Sequence, residues 1–164
     1  MTLVVLLGGA RSGKSRLAVE RAQRTGGPVT FIATGEAGDD EMRERIELHQ
    51  QERPPGWRTV EEPLQIGRAL ALVAAGETAI LDCLSLWVAN ALAEQHEAGD
   101  DALQAAATRN GLTIAVSNEV GMGIVPDNAL AREYRDALGR VNAAWVGAAD
   151  EAYFVVAGRT VRLS

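Results

Sequence analysis

Cysteine, lysine and aromatic residues are scarce in this sequence of 164 residues. The single cysteine, Cys83, excludes a disulfide within the chain, and its apolar neighbours favour a buried thiol in a reducing compartment, the cytoplasm. Aromatic residues make up 4% of the chain, so we expect a core of aliphatic side chains and alanine. No apolar run reaches the roughly 18 residues that a membrane-spanning helix needs, so the sequence predicts no membrane span.

Positive charge is also in short supply. The chain has 16 Lys and Arg against 22 Asp and Glu, which gives a formal net charge of −6 at pH 7. Because non-specific binding to nucleic acid or to anionic membranes requires a basic surface, neither is an expected partner. The length suits a single domain over residues 1–164, and we find no linker, repeat or low-complexity tract that would divide it.

Short apolar runs alternate with amphipathic stretches along the chain. Strands are predicted over residues 3–7, 29–34, 78–81, 112–117 and 152–157, and helices over 15–24, 39–50, 63–75, 84–97, 102–108 and from the capping pair 127–128 to 148. The last helix carries an apolar stripe that predicts a buried face: Leu130, Tyr134, Leu138, Val141 and Trp145. A final turn with residues 160–163 predicts an antiparallel edge. This alternation predicts an α/β fold with a mostly parallel sheet covered by helices on both faces.

A glycine-rich motif after the first predicted strand contains the only lysine of the chain. It fits the pattern G-x-x-x-x-G-K-[ST] and consists of Gly8, Gly9, Ala10, Arg11, Ser12, Gly13, Lys14 and Ser15. In such a loop backbone N–H groups bind phosphate, the lysine ammonium neutralises it, and the serine hydroxyl ligates Mg²⁺. Every other cation of the chain is arginine, which indicates that a compact ammonium is needed at Lys14.

Other candidate residues stay ambiguous when they are considered alone. Asp82 ends an apolar strand, where it either holds Mg²⁺ through water or caps the next helix. His49 shares a helical face with Ile46 and Met42, the usual setting of a partly packed surface histidine. The loop 118–126 follows a strand at its carboxyl end, where α/β sheets bind ligands, but a plain glycine-rich crossover has the same composition.

Four stretches of the chain together resemble one known family. They read GGARSGKSR, FIATGEAGDDEMRERIELHQQERPPGWRTVEEP, LDCLSLWVAN and VSNEVGMGIVPDNALAREYRDALGRVN, and they span nearly the whole sequence. This pattern resembles the adenosylcobinamide kinase/adenosylcobinamide-phosphate guanylyltransferase family of cobalamin biosynthesis. The first stretch alone indicates only a nucleotide enzyme, whereas the second and fourth are distinctive.

The resemblance implies a RecA-like P-loop fold, a homotrimer, and two reactions at one nucleotide site. ATP or GTP would phosphorylate adenosylcobinamide, and GTP would then donate GMP to adenosylcobinamide phosphate, giving adenosylcobinamide-GDP. The guanylylated histidine of the family corresponds to His49, within R-I-x-x-H, with Lys14 as the second catalytic residue and Ser15 and Asp82 as Mg²⁺ ligands. The implied nucleotide contacts beyond the glycine-rich loop are Ala33, Thr34, Gly35, Gln50, Gln51, Glu52, Arg53, Glu61 and Asp82.

Two other functions are compatible with the glycine-rich loop. One is a simple P-loop kinase of small molecules, in which His49 is structural, and the other is a RecA-like nucleotide-binding module without enzymatic activity. The charged residues Arg53, Arg58, Glu61 and Glu62 are either nucleotide contacts or solvated loop residues. The chain is shorter between Asn90 and Leu112 than the family pattern leads us to expect, and the sequence assigns no general base to the kinase step.

Overall fold

The computed structural model describes residues 1–36, 44, 50, 53–95 and 100–164. The strands are β1 (Thr2–Gly8), β2 (Val29–Ala33), β3 (Arg58–Glu61), β4 (Thr78–Asp82), β5 (Leu112–Asn118), β6 (Glu151–Val156) and β7 (Arg159–Arg162). The helices are α1 (Lys14–Gln23), α2 (Ile66–Ala71), α3 (Leu84–Ala93), α4 (Asp100–Thr108) and α5 (Ala129–Ala148). Apart from residues 44 and 50, the helix predicted over residues 39–50 lies outside the described residues.

The described strands form one sheet in the order β3-β2-β4-β5-β1-β6-β7. All neighbouring strands are parallel except β6 and β7, which are antiparallel, so the predicted fold class and C-terminal edge are confirmed. In the strand register Gly8 lies opposite Asn118, and Ala33 opposite Asp82. The carboxyl ends of β1, β2, β4 and β5 therefore meet at one edge of the sheet, where open α/β sheets bind ligands.

Helices cover both faces of the sheet, and the residues of β1 alternate between the two resulting cores. Leu3 and Val5 belong to the cluster that includes residues of α2, α3, α4 and α5. Val4 and Leu6 belong to the second cluster, which includes Ala18 of α1. A strand buried on both faces explains the uninterrupted apolar run at the start of the sequence. In the described part of the chain, no helix has both the length and the apolarity to cross a membrane.

The segment around β3 differs from the sequence expectation. Residues 58–61, expected to be a charged loop, form a parallel edge strand against β2, with all but Val60 exposed. The helix predicted over residues 63–75 is only Ile66–Ala71 long. The Glu62 carboxylate accepts hydrogen bonds from the backbone N–H groups of Leu64 and Gln65, at 3.0 and 2.7 Å, and so forms a turn. Because of this turn, the helix begins later than predicted.

The ends of two other helices also differ from expectation. Helix α3 ends at Ala93 rather than residue 97, and Gln95 then adopts a left-handed φ of 51° that stops it. In α5, Leu138 and Trp145 are buried as predicted, but Leu130 is 69% exposed. Leu130 lies in the first turn of the helix, next to a mostly exposed loop, so its predicted burial is wrong.

Candidate functional site

The loop between β1 and α1 is held by backbone contacts with the β6–β7 turn. Gly13, at the N-cap of α1, has a φ of 100°, which favours glycine, and no side chain caps the helix. A Cβ at Gly8 would clash with the carbonyl oxygen of Val155. The Gly158 N–H donates to the carbonyl oxygen of Ser12 at 3.0 Å. The first N–H groups of α1 are therefore presented at a fixed, uncapped helix N-terminus, the arrangement that binds phosphate.

Lys14 lies against the loop that carries it. Its side chain is buried, and Nζ donates to the carbonyl oxygen of Gly9 at 2.7 Å and, more weakly, to Ser12 Oγ at 3.5 Å. Burial lowers the pKa of the Lys14 ammonium, and the neighbouring Asp82 carboxylate opposes that effect. The predicted phosphate-binding lysine and the predicted metal-binding carboxylate thus interact across the edge of the sheet.

Asp82 and Ser15 fit the role of Mg²⁺ ligands. The N-cap position of α3 is held by Cys83 rather than by Asp82. The Ser15 hydroxyl makes no hydrogen bond within the described part of the chain. No group of three or more His, Cys, Asp or Glu among the described residues could hold a metal ion alone. A serine hydroxyl and one carboxylate instead match Mg²⁺ that is shared with nucleotide phosphates.

A second group of polar residues lies at the ends of β2 and β3. The guanidinium carbon of Arg53 is 3.7 Å from the centroid of the Phe31 ring, and Arg53 Nη1 donates to Thr59 Oγ1 at 3.0 Å. Gln50 Nε2 donates to Glu61 Oε1 at 3.3 Å. The structure therefore brings Gln50, Arg53 and Glu61 together, although they are separated in sequence.

Electrostatic interactions join this group to the glycine-rich loop. Burial lowers the pKa of Arg53, whereas the carboxylates of Asp82 and Glu61 favour its charged form. Because Asp82 acts in the same way on Lys14, a continuous series of alternating charges runs from Lys14 through Asp82 and Arg53 to Glu61. The carboxyl edge of the sheet thus carries one extended site with cations at two separate points.

An open pocket of about 410 Å³ lies beside Arg53. It is lined by Gln50, Arg53, Pro54, Pro55, Gly56, Trp57, Thr59 and Glu61. Arg53 Nε is buried and has no hydrogen-bond partner within the residues that the structure describes. The sequence did not predict a role for residues 54–56 or for Trp57 in this pocket. The available signal was an isolated tryptophan next to two prolines and a glycine.

Thr34, a predicted nucleotide contact, uses all its polar groups within the protein. Its N–H donates to the carbonyl oxygen of Asp82 at 3.1 Å, and its carbonyl oxygen accepts from Asn90 Nδ2 at 2.8 Å. Its hydroxyl donates to the Cys83 carbonyl oxygen at 2.7 Å and accepts from the Cys83 N–H at 2.8 Å. Thr34, which lies between Ala33 and Gly35 in sequence, therefore links the end of β2 to the end of β4.

The Cys83 thiol is buried, as the sequence predicts. Its Sγ lies 2.9 Å from Ser85 Oγ, and burial raises the pKa of the thiol to about 11. Burial therefore favours the protonated thiol, which is the less nucleophilic form.

A buried polar network that the sequence does not predict holds the end of β5. Ser117 Oγ donates to Asn142 Oδ1 at 2.7 Å, and Asn142 Nδ2 donates to the carbonyl oxygen of Asn118 at 3.0 Å. Asn118 Nδ2 donates in turn to Ser85 Oγ at 3.1 Å. The network fixes the strand that lies between β1 and β4, where the loop 119–126 begins.

Three of the predicted site residues, His49, Gln51 and Glu52, lie outside the described residues. Their neighbours in sequence, Gln50 and Arg53, both line the pocket.

Comparison with known protein families gives one match over nearly the whole chain. A family model described as cobinamide kinase / cobinamide phosphate guanyltransferase matches residues 4–163. The bifunctional adenosylcobalamin biosynthesis protein CobP of Pseudomonas aeruginosa is 42% identical over 160 residues, covering 94% of this chain and 92% of that protein. The proteins named CobU from Escherichia coli and Salmonella typhimurium are 38% and 40% identical over 180 residues, covering 98% of this chain and 99% of each relative.

Two solved structures share the fold at low sequence identity. The flagellar accessory protein FlaH of Methanocaldococcus jannaschii has a TM-score of 0.54 at 13% identity, over 99% of this chain and 78% of that protein. An ATPase of the type III secretion system of pathogenic bacteria has a TM-score of 0.50 at 12% identity, over 93% of this chain and 51% of that protein. These likenesses confirm the predicted fold class and nothing finer.

Proposed function

This chain belongs to the cobinamide kinase / cobinamide phosphate guanyltransferase family of bifunctional enzymes, and we propose that it performs both reactions at one nucleotide site, the second through His49. In the first, ATP or GTP phosphorylates adenosylcobinamide. In the second, GTP donates GMP to adenosylcobinamide phosphate and gives adenosylcobinamide-GDP. The observation that carries this proposal is the series of charges from Lys14 to Glu61, which joins the glycine-rich loop to residues beside His49 in sequence.

The phosphate end of the nucleotide belongs at the glycine-rich loop. The uncapped N-terminus of α1 offers backbone N–H groups to the phosphates, and the Lys14 ammonium exchanges the Gly9 carbonyl oxygen for a phosphate oxygen. Ser15 and Asp82 would hold Mg²⁺ here, and the ion would supply positive charge that stabilises the transferring phosphoryl group. The backbone donors are fixed before the nucleotide arrives, so little reorganisation of the loop opposes the transfer.

The base and ribose of the nucleotide belong at the pocket beside Arg53. The pocket offers a tryptophan, a guanidinium and two side-chain carbonyl or carboxylate groups within about 410 Å³. Amide and carboxylate oxygens of this kind accept hydrogen bonds from the N–H groups of a purine or the hydroxyls of a ribose. We propose that Ala33, Thr34 and Gly35 shape the strand end below the nucleotide and that Gln51 and Glu52 complete the pocket.

His49 is the proposed nucleophile of the second reaction. A neutral imidazole nitrogen attacks the α-phosphorus of GTP, the bond to the β-phosphate oxygen breaks, and pyrophosphate leaves. An oxygen of adenosylcobinamide phosphate then attacks the same phosphorus and releases the imidazole. The placement of Gln50 against Glu61 supports this role, because it holds the residue next to His49 at the nucleotide pocket.

Replacement of His49 by alanine separates the two reactions. His49→Ala should lose guanylyl transfer from GTP to adenosylcobinamide phosphate and keep phosphorylation of adenosylcobinamide, because the first step needs the loop and metal rather than the imidazole. Both activities are measured by following each corrinoid product chromatographically. His96→Ala, which removes the other histidine of the chain, is the matched control and should keep both activities.

Three results would contradict this proposal. Guanylyl transfer that survives in His49→Ala would remove the histidine from the mechanism. Loss of both activities with an intact fold would instead show that His49 positions the nucleotide for the first step as well. A parent enzyme that phosphorylates adenosylcobinamide but transfers no GMP would favour the simple small-molecule kinase.

A further inference from the structure

We propose that Glu119 is the general base of the kinase step, an assignment that rests on the proposed function above. Glu119 is the first residue after β5, the strand that lies between β1 with its glycine-rich loop and β4 with Asp82. Its backbone N–H donates to the carbonyl oxygen of Gly8 at 3.1 Å. Glu119 is therefore attached directly to the first residue of the loop that binds the phosphates.

Other carboxylates at this edge of the sheet are committed elsewhere or lie farther from the loop. Asp82 interacts with Lys14 and Arg53 and fits the metal. Glu61 ends β3 and Glu62 follows it, and β2, β4 and β5 separate that strand from β1. The Glu62 carboxylate also accepts two backbone hydrogen bonds at the start of α2. Glu119 directly follows β5, the strand next to β1 and its glycine-rich loop, and its carboxylate has none of these roles.

The Glu119 side chain is held at one oxygen and open at the other. Oε1 accepts a hydrogen bond from the Gly121 N–H at 2.5 Å, and Oε2 has no hydrogen bond within the described residues. The strand below is fixed, because the carbonyl oxygen of Asn118 is bound by Asn142. A carboxylate anchored in this way keeps its position while its second oxygen takes a proton, as a general base requires.

The segment after Glu119 suits a large acceptor. Val120, Met122, Ile124 and Val125 are exposed, with Ile124 at 98%. The corrinoid ring of cobinamide offers a broad surface of hydrocarbon groups, and burying such surface against these side chains is favourable. The ring then rests beside the carboxylate, with its aminopropanol hydroxyl directed at the nucleotide.

The proposed step balances with groups already named. The cobinamide hydroxyl gives its proton to Glu119 Oε2 while its oxygen forms a bond to the γ-phosphorus. The bond from that phosphorus to the bridging oxygen of the β-phosphate breaks, and the nucleoside diphosphate leaves with the electron pair. The proton on Glu119 passes to solvent water after the product departs.

The variant Glu119→Gln tests this assignment, because the glutamine amide oxygen still accepts from the Gly121 N–H but is not basic. We expect kcat for adenosylcobinamide phosphorylation to fall by about 10²–10⁴, the usual contribution of a general base. The KM for the nucleotide should change by less than about twofold, because it reports binding that the variant retains. Guanylyl transfer to supplied adenosylcobinamide phosphate should continue at the parent rate. Glu133→Gln, which removes an exposed carboxylate on α5, should leave both reactions unchanged.

The split between the two reactions gives a second readout that a merely structural role would not move. A kinase kcat within about threefold of the parent would overturn the assignment. Equal loss of both reactions would also overturn it, since Glu119 would then only support the loop. If the parent itself phosphorylates no cobinamide, the proposed function fails first.

Discussion

Two polar clusters lie at the carboxyl edge of the same sheet and differ in whether their groups are paired. In the glycine-rich loop, the N-terminus of α1 is uncapped and the Ser15 hydroxyl has no hydrogen bond within the described chain. Around Thr34, the hydroxyl, the N–H and the carbonyl oxygen all bind Cys83, Asp82 or Asn90. The difference indicates that the first cluster is kept open for a ligand and the second holds β2 and β4 together.

The largest effect is expected at the open cluster. Lys14→Arg should reduce both nucleotide reactions by at least about 100-fold, roughly 2.7 kcal/mol, because the charge is kept but a planar guanidinium cannot occupy the compact, buried position of the ammonium. Turnover and thermal melting are measured side by side, and the melting temperature should stay near that of the parent. Arg24→Lys, at the far end of α1, is the reciprocal control and should be silent. Turnover within about tenfold of the parent would contradict the geometric argument.

A comparable loss in stability, rather than in activity, is expected at the paired cluster. Thr34→Val keeps the shape of the side chain but leaves the buried Cys83 N–H without its acceptor, which should cost about 1–3 kcal/mol in the free energy of unfolding. Urea denaturation measures this change. Thr160→Val on the exposed strand β7 should change stability by less than about 0.5 kcal/mol. If Thr34→Val kept the parental stability but bound nucleotide more weakly, Thr34 would belong to the ligand-binding cluster instead.

A smaller effect is expected at Asp82, which lies between the two clusters. Asp82→Asn should raise the Mg²⁺ concentration for half-maximal activity by about tenfold, since a neutral amide is a poorer partner for a hydrated divalent cation. Titration of activity with Mg²⁺ measures the shift, and Asp127→Asn serves as the control for loss of one negative charge. An unchanged titration, together with a loss of stability, would show that Asp82 is structural.

The sequence predicts those parts of the fold that have a local cause. An uninterrupted apolar run followed by a phosphate-binding pattern identifies β1, the loop and α1, and similar runs identify β4 and β5. Strand β3 has no such run. Its residues are mostly exposed, and only backbone pairing with β2 makes them a strand. An edge strand of this kind therefore has no hydrophobic pattern from which to predict it.

The pairing of polar groups is not predictable from the sequence, because it depends on residues that the sheet brings together. Thr34 and Cys83 are 49 positions apart and meet because β2 and β4 are neighbours in register. Asn142 lies in an otherwise apolar helix face. Nothing in the neighbouring sequence indicates that it accepts a hydrogen bond from Ser117 Oγ. Donors that are kept for a ligand are easier to predict, because the short glycine-rich pattern itself identifies the phosphate-binding loop.

The most direct test of the account is the covalent intermediate. The parent enzyme is incubated with Mg²⁺ and GTP labelled at the α-phosphate, denatured, digested, and searched for the labelled peptide. The account predicts one labelled peptide containing His49, with a phosphoramidate bond that is labile in acid and stable in base. Label on a serine or threonine peptide, with the acid stability of a phosphate ester, or no label while guanylyl transfer proceeds, would contradict it.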